Sequence, residues 1–276
     1  MWLLWGGLYL ALFALMKFGM MSTTELAMTP LSLVQQGAAI FTAITAAHAA
    51  LASVIPGAPR RVWGPPLAGA AVMQIDNFDE RTADWAREQT PIFGSQRNAE
   101  EWSDNLRTAS VVAHYATIIA TPSGDEFGEW LANKAKGTLV DVAAVSATTA
   151  ITGSLKKAVG RERPNGQDDE SFPSGHTSSS AVHTRLASRN LRSIDMPAGA
   201  RRTLDIGLYA LTIGTSWSRI EAGWHFPADT MFSMALGNFI ASFVNDAFLG
   251  LDAASTSLTL ATTPDGAIVQ WRVRWR

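Results

Sequence analysis

Lys156 and Arg163 stand seven residues apart, two helical turns, so a continuous helix would point both cations the same way. Downstream lies Ser171-Phe172-Pro173-Ser174-Gly175-His176, followed by a run from Thr177 to Arg192 without Pro or Gly. That run has apolar positions at Ala181, Val182, Leu186 and Leu191, which predicts a helix with Ser174 and Gly175 at its mouth. Free N–H groups and the helix dipole favour an anion there. Pro173 fixes the incoming backbone, and Gly175 permits a conformation that other residues resist. His176, beside that mouth, can carry a proton near neutral pH. Further on, five residues separate Ser218-Arg219 from His225, and Asp229 follows His225 by four. Pro227 between them suits the first turn of a new helix. A His just outside a helix can pair with an Asp in its first turn. The carboxylate would hold one imidazole nitrogen and leave the other as a nucleophile. Taken singly, these pieces read equally as a capped turn, a solvated cation pair and structural histidines.

The elements that must position these residues are helical. One helix is predicted from a Ser103-Asp104 cap through Leu106, Val111, Val112, Tyr115 and Ile118 towards Pro122. A long pattern runs from Glu129 to about Arg163, in one piece or in two divided at Gly137 and Gly153. Gly160 and Pro164 weaken and stop it. Thr203–Trp217 and Ala228–Leu251 read likewise. Asp141, Asp205 and Asn238 interrupt these runs, which favours buried core helices over membrane spans. Trp85 and Trp102 are packing anchors in a polar stretch. His114 reads as a buried structural histidine, and His183 as a core or surface residue.

Hydrophobic residues make up 47% of the 276-residue chain and charged residues 17%, so a large core can be buried. The net charge of −2 excludes a nucleic-acid partner held by bulk charge. With no Cys, disulfides and thiolate metal sites are excluded. Mean hydropathy, +0.08, is low for a polytopic membrane protein. Residues 1–56 form an apolar region. Trp2–Met16 and Gly37–Pro56 read as a signal peptide, a membrane anchor or packed helices, and later Met residues are alternative starts. Pro56 to Pro66 reads as a connector into a helical domain spanning 57–252. In the 253–276 tail, Thr263-Pro264-Asp265-Gly266 marks a turn. The alternation of Val269, Trp271, Val273 and Trp275 with polar residues then predicts a terminal β-hairpin.

Together the motifs form Lys156-x6-Arg163-Pro164, Pro173-Ser174-Gly175-His176 and Ser218-Arg219-x5-His225-x3-Asp229. This resembles the three-part signature of the type 2 phosphatidic acid phosphatase and vanadium haloperoxidase superfamily, over about residues 130 to 250. The resemblance implies an all-α helical bundle with the site between helices. Lys156, Arg163 and Arg219 would bind phosphoryl oxygens, aided by backbone N–H groups of Ser174 and Gly175. His225 would attack phosphorus and form a phosphohistidine, and Asp229 would orient it. His176 would protonate the leaving oxygen and then activate water. No metal or other cofactor is implied.

The expected activity is a metal-independent phosphomonoesterase acting on a lipid or small-molecule phosphate, exported and associated with a membrane through the N-terminus. A vanadate-dependent haloperoxidase shares the same signature, although such enzymes are generally longer. A non-catalytic membrane or binding protein would not need both histidines.

Overall fold

The computed structural model of the chain describes residues 60–249 and two strands, Thr256–Thr263 and Gly266–Val273. The apolar stretches of residues 1–56 lie outside the described residues. Seven α-helices are described: α1 (Arg60–Val72), α2 (Phe78–Gln89), α3 (Gln96–Ala120), α4 (Phe127–Val159), α5 (Gly175–Asn190), α6 (Ala198–Glu221) and α7 (Pro227–Leu249). The architecture is the expected all-α bundle. The strands β1 (Thr256–Thr263) and β2 (Gly266–Val273) pair antiparallel, from Thr256 opposite Val273 to Thr263 opposite Gly266, as the expected hairpin.

Helix α5 is central, packed against α3, α4, α6 and α7. Its apolar positions build two core clusters. Val182 and Leu186 meet Ala144 and Ala241, and Ala187 and Leu191 meet Leu208. The rest of α5 is polar and also buried, so its groups need partners. Ser180 meets Ser110 at 2.7 Å, Thr184 meets Thr212 at 2.7 Å, and Arg185 Nε donates to Ser242 at 2.8 Å. Small side chains let the helices approach closely. A Cβ added to Gly237 of α7 would lie 2.6 Å from the Ser178 carbonyl, so only glycine fits this crossing.

Several boundaries differ from the sequence reading. Helix α3 starts earlier, because Ser95 caps it by accepting from Asn98 N at 3.1 Å. Ser103 and Asp104 therefore stand inside the helix and are released from capping. The segment around Pro65 and Pro66 is the helix α1 rather than a connector. Its prolines fall in the second turn, and burial of Val62, Trp63, Ala68 and Val72 outweighs the backbone bonds they forfeit. Helix α4 is one piece, and it ends at Gly160, whose φ of 57° is left-handed. Of the two tryptophans, Trp85 packs edge-on against Trp217, whereas Trp102 is half exposed beside Phe93.

Asp141 and the two buried histidines explain one another. His114 Nε2 lies 3.0 Å from an Asp141 carboxylate oxygen, and its Nδ1 lies 2.9 Å from His183 Nδ1. The charge in α4 thus faces inward. The outer face of the same helix exposes Phe127, Trp130, Leu131, Leu139, Val142 and Ile151. Among the described residues, α4 and α7 are long and apolar enough to cross a membrane, and only 28% of the apolar window of α4 is buried. The polar interruption of α4 is therefore no sign of a helix buried all round.

Candidate active site

The three motifs meet at one end of the bundle, where the loop after α4, the start of α5, the end of α6 and the start of α7 converge. His225 is 2% exposed, and its Nδ1 lies 2.5 Å from the main-chain oxygen of Ser171. A carbonyl only accepts, so Nδ1 carries the proton and donates it. The lone pair of the neutral ring is then on Nε2, which lies 3.5 Å from Arg163 Nη1. Burial, followed by the positive charges of Arg219, Arg163 and Lys156, holds the pKa of His225 well below its usual value. The ring is neutral at physiological pH, with an unprotonated Nε2 that faces Arg163.

The expected direct pairing of His225 with Asp229 is not made. Asp229 is the third residue of α7, and its Oδ2 reaches back to accept the Phe226 N–H at 3.0 Å. This is the carboxylate half of a capping box, the acid in the third helical position accepting from the backbone before the helix. The same oxygen accepts the Ser171 hydroxyl at 2.6 Å. Asp229 therefore reaches His225 through Ser171, whose carbonyl holds the ring.

Lys156 and Arg163 do not share a helix, because Gly160 ends α4 before Arg163. Both charges nevertheless act on His225. Lys156 Nζ donates to the Glu170 carbonyl, and Arg163 Nε to Asp168. Arg163 Nη1 donates to the Trp224 carbonyl at 3.1 Å. The guanidinium carbons of Arg163 and Arg219 each lie 4.9 Å from the Trp224 ring centroid, so the indole spaces two like charges. Arg219 Nη1 lies 3.4 Å from Ser103 Oγ. Burial, then the charge of Arg163, lowers the Arg219 pKa to about 10, which leaves it charged at neutral pH.

Ser174 caps α5, its hydroxyl accepting from Thr177 N at 3.4 Å. Its own N–H donates to Ser233 Oγ at 2.6 Å. The Ser174 N–H is thus committed to α7 and is not part of an anion cradle. Gly175 opens the helix, and its N–H has no intrahelical acceptor. A Cβ there would meet no atom within 4 Å, and Gly175 is not among the residues of positive φ. Its contribution is an open approach to the helix end, not an unusual backbone angle.

His176 has a carboxylate partner from a distant helix. Its Nε2 lies 2.9 Å from Asp104 Oδ1, so Nε2 carries a proton and Nδ1 is the second titrating position. Burial, then Arg219, lowers the His176 pKa, while Asp104 opposes the shift. The residues missed from the sequence are Asp79, Ser103, Asp104, Arg161, Ser171, Trp224 and Ser233. Ser171 and Trp224 adjoin the motifs, and Arg161 lies within the first of them. Asp79 and Asp104 carry no local signal, because packing brings them in from α2 and α3.

A model of the PAP2 superfamily matches residues 138–249. A crystal structure described as the first transmembrane PAP2 type phosphatidylglycerolphosphate phosphatase, from Bacillus subtilis, is similar with a TM-score of 0.49 and 17% identity. The similarity covers 65% of this chain and 90% of that one. No curated protein matches the sequence. The matched 138–249 segment, which holds Lys156, Arg163, Ser174, Gly175, His176, Arg219, His225 and Asp229, is thus similar to the PAP2 superfamily.

Proposed function

We propose that the protein is a metal-independent phosphatase that hydrolyses a phosphate monoester through a phosphohistidine. The observation that carries this reading is His225: Nδ1–H tied to Ser171, Nε2 unprotonated and facing Arg163, and three cations acting on the ring. The match of residues 138–249 to the PAP2 superfamily supports phosphatase-type chemistry.

In the first step Nε2 of His225 attacks phosphorus. The bond from phosphorus to the ester oxygen breaks, and the leaving oxygen takes a proton from the imidazolium form of His176. Lys156, Arg163 and Arg219 offset the charge on the three phosphoryl oxygens. The carbonyl of Ser171 stabilises the positive charge that spreads over the His225 ring. In the second step neutral His176 removes a proton from water, whose oxygen attacks phosphorus. The nitrogen–phosphorus bond breaks, releasing phosphate and restoring both histidines.

The exposed apolar faces of α3 (Val112, Ile119) and α4 support membrane association and a lipid phosphate as substrate, with small-molecule phosphates as the other class. The apolar N-terminal region supports export. A phosphate-release screen across lipid phosphates, nucleotides and sugar phosphates tests the substrate class, and no release from any of them would reject the reading. For export, a fused reporter active only outside the cytoplasm should be active. A cytoplasm-only reporter that works, with the protein in the soluble extract, would contradict it.

A further inference from the structure

We infer that Asp79 and Arg161 are positioning residues for the nucleophile, forming with Asp229 a carboxylate–guanidinium–carboxylate chain that fixes Ser171 and the start of α7 around His225. This inference rests on the phosphohistidine reading of His225.

Arg161 Nη1 donates to Asp229 Oδ1 at 2.7 Å, and its Nη2 donates to Asp79 Oδ2 at 2.8 Å. Both carboxylates are essentially inaccessible, at 0% and 1% side-chain exposure. The guanidinium carbon lies 3.9 Å from the Phe226 ring centroid, so its plane is set by a ring as well as by two acids. The other oxygen of Asp79 accepts the Ala228 N–H at 2.7 Å. That N–H is one of the four at the start of α7 with no intrahelical acceptor. Asp79 therefore ties Arg161 to the first turn of α7, next to His225.

The chain closes on Ser171. Its N–H donates to the Arg161 carbonyl at 2.8 Å, and its hydroxyl donates to Asp229. Its carbonyl then holds His225 Nδ1. Arg161 thus fixes Ser171 twice, by its own backbone and through Asp229. With Nη1 and Nη2 each on a buried carboxylate, Arg161 acts on the reaction through Asp229 and Ser171. Asp79 lies outside the 138–249 segment, so this support is added from the N-terminal side of the domain.

Geometry gives the chain a pH signature. Asp79 is faced by Arg161 and Asp229 from other segments; Glu80, half exposed, also lies 3.7 Å from Arg161, and Lys156 acts on Asp229 from α4. Burial raises the Asp79 pKa to about 6 against the bonds from Ala228 and Arg161. Below that pH Asp79 is neutral and Arg161 loses one of its buried counter-charges. Turnover should then fall as the pH drops through about 6.

The test is the first-turnover rate of aryl alcohol release, with KM, against pH; with an aryl phosphate this step does not need His176, which acts as base only in the second step. The wild-type first-turnover rate should show an acid limb near pH 6. Asp79→Asn, always neutral, should have that rate lowered about five-fold at pH 7.5, KM within about two-fold, and no limb near pH 6. Arg161→Gln should lower the rate more than ten-fold, again with little change in KM. Folded variants with the wild-type first-turnover rate, or Arg161→Gln raising KM at an unchanged rate, would overturn the inference. If Arg161→Gln does not melt cooperatively, the Asp79→Asn profile decides, and a retained limb overturns it. A wild-type profile without a limb near pH 6 overturns it without any variant. Absence of wild-type turnover or of a trapped phosphohistidine would instead reject the proposed function.

Discussion

Ser171 and Asp229 are joined by a 2.6 Å hydrogen bond that stands between the carboxylate and His225. The carboxylate holds the serine hydroxyl, and the serine carbonyl holds the ring of His225. Orientation of the nucleophile is thus transmitted through one main-chain group.

Ser171→Ala keeps that carbonyl and removes the hydroxyl. Asp229 still accepts from Phe226 and Arg161, so the fold should survive with a loss of about 1–2 kcal/mol. The expected kcat is several-fold below wild type at similar KM. Urea unfolding together with steady-state kinetics checks both. Asp229→Asn should be worse on both counts, losing about 3–5 kcal/mol because Arg161 keeps only Asp79 as a buried partner.

The pairing of Asp104 with His176 predicts a shift in the alkaline limb of the rate profile. His176 must be protonated to serve an alkyl leaving group, so kcat/KM should fall as pH rises through its pKa, which lies below the usual value. Asp104 raises that pKa. Asp104→Asn should therefore move the limb to lower pH with alkyl phosphates and have little effect with aryl phosphates. An unmoved limb in this variant would remove Asp104 from the proton-transfer step.

The crossing of α5 and α7 brings Ser174 up against α7, where Ser233 accepts its N–H. Gly237→Ala would set a Cβ against the Ser178 backbone and the Ala181 side chain. Overpacking of this kind costs about 1–3 kcal/mol. Thermal unfolding should show a clear fall in Tm, and an unchanged Tm would mean that the helices separate freely.

Charge compensation by Lys156, Arg163 and Arg219 predicts that turnover persists in EDTA. Vanadate, as a mimic of five-coordinate phosphorus, should inhibit competitively. Activity lost on chelation and restored by magnesium would contradict this arrangement.

The three motifs could be picked out because their spacing is local, and the structure brings their segments to one end of the bundle. The individual helices were legible from helical periodicity, and their assembly into a bundle from the resemblance. The supporting groups were hidden for a physical reason. Asp79 and Asp104 reach the site only through helix packing, and nothing in their neighbouring residues requires them. The spacing of His225 and Asp229 suggested a direct bond, because four residues make one helical turn. His225 precedes the helix, however, and Asp229 turns back to cap it. The Lys156–Arg163 spacing suggested one helix in the same way, yet Gly160 bends the chain between them. The outer face of α4 was misread because Asp141 was counted without its inward partner, His114.

The central claim is that His225 is the nucleophile and His176 the acid and base. The direct measurement is acid-quench trapping of labelled phosphoenzyme with an aryl phosphate in wild type, His225→Ala and His176→Ala. The account predicts no phosphoenzyme in His225→Ala. In His176→Ala it predicts a phosphohistidine that accumulates, because water attack has lost its base. Phosphoenzyme present in His225→Ala and absent from His176→Ala would reverse the two roles.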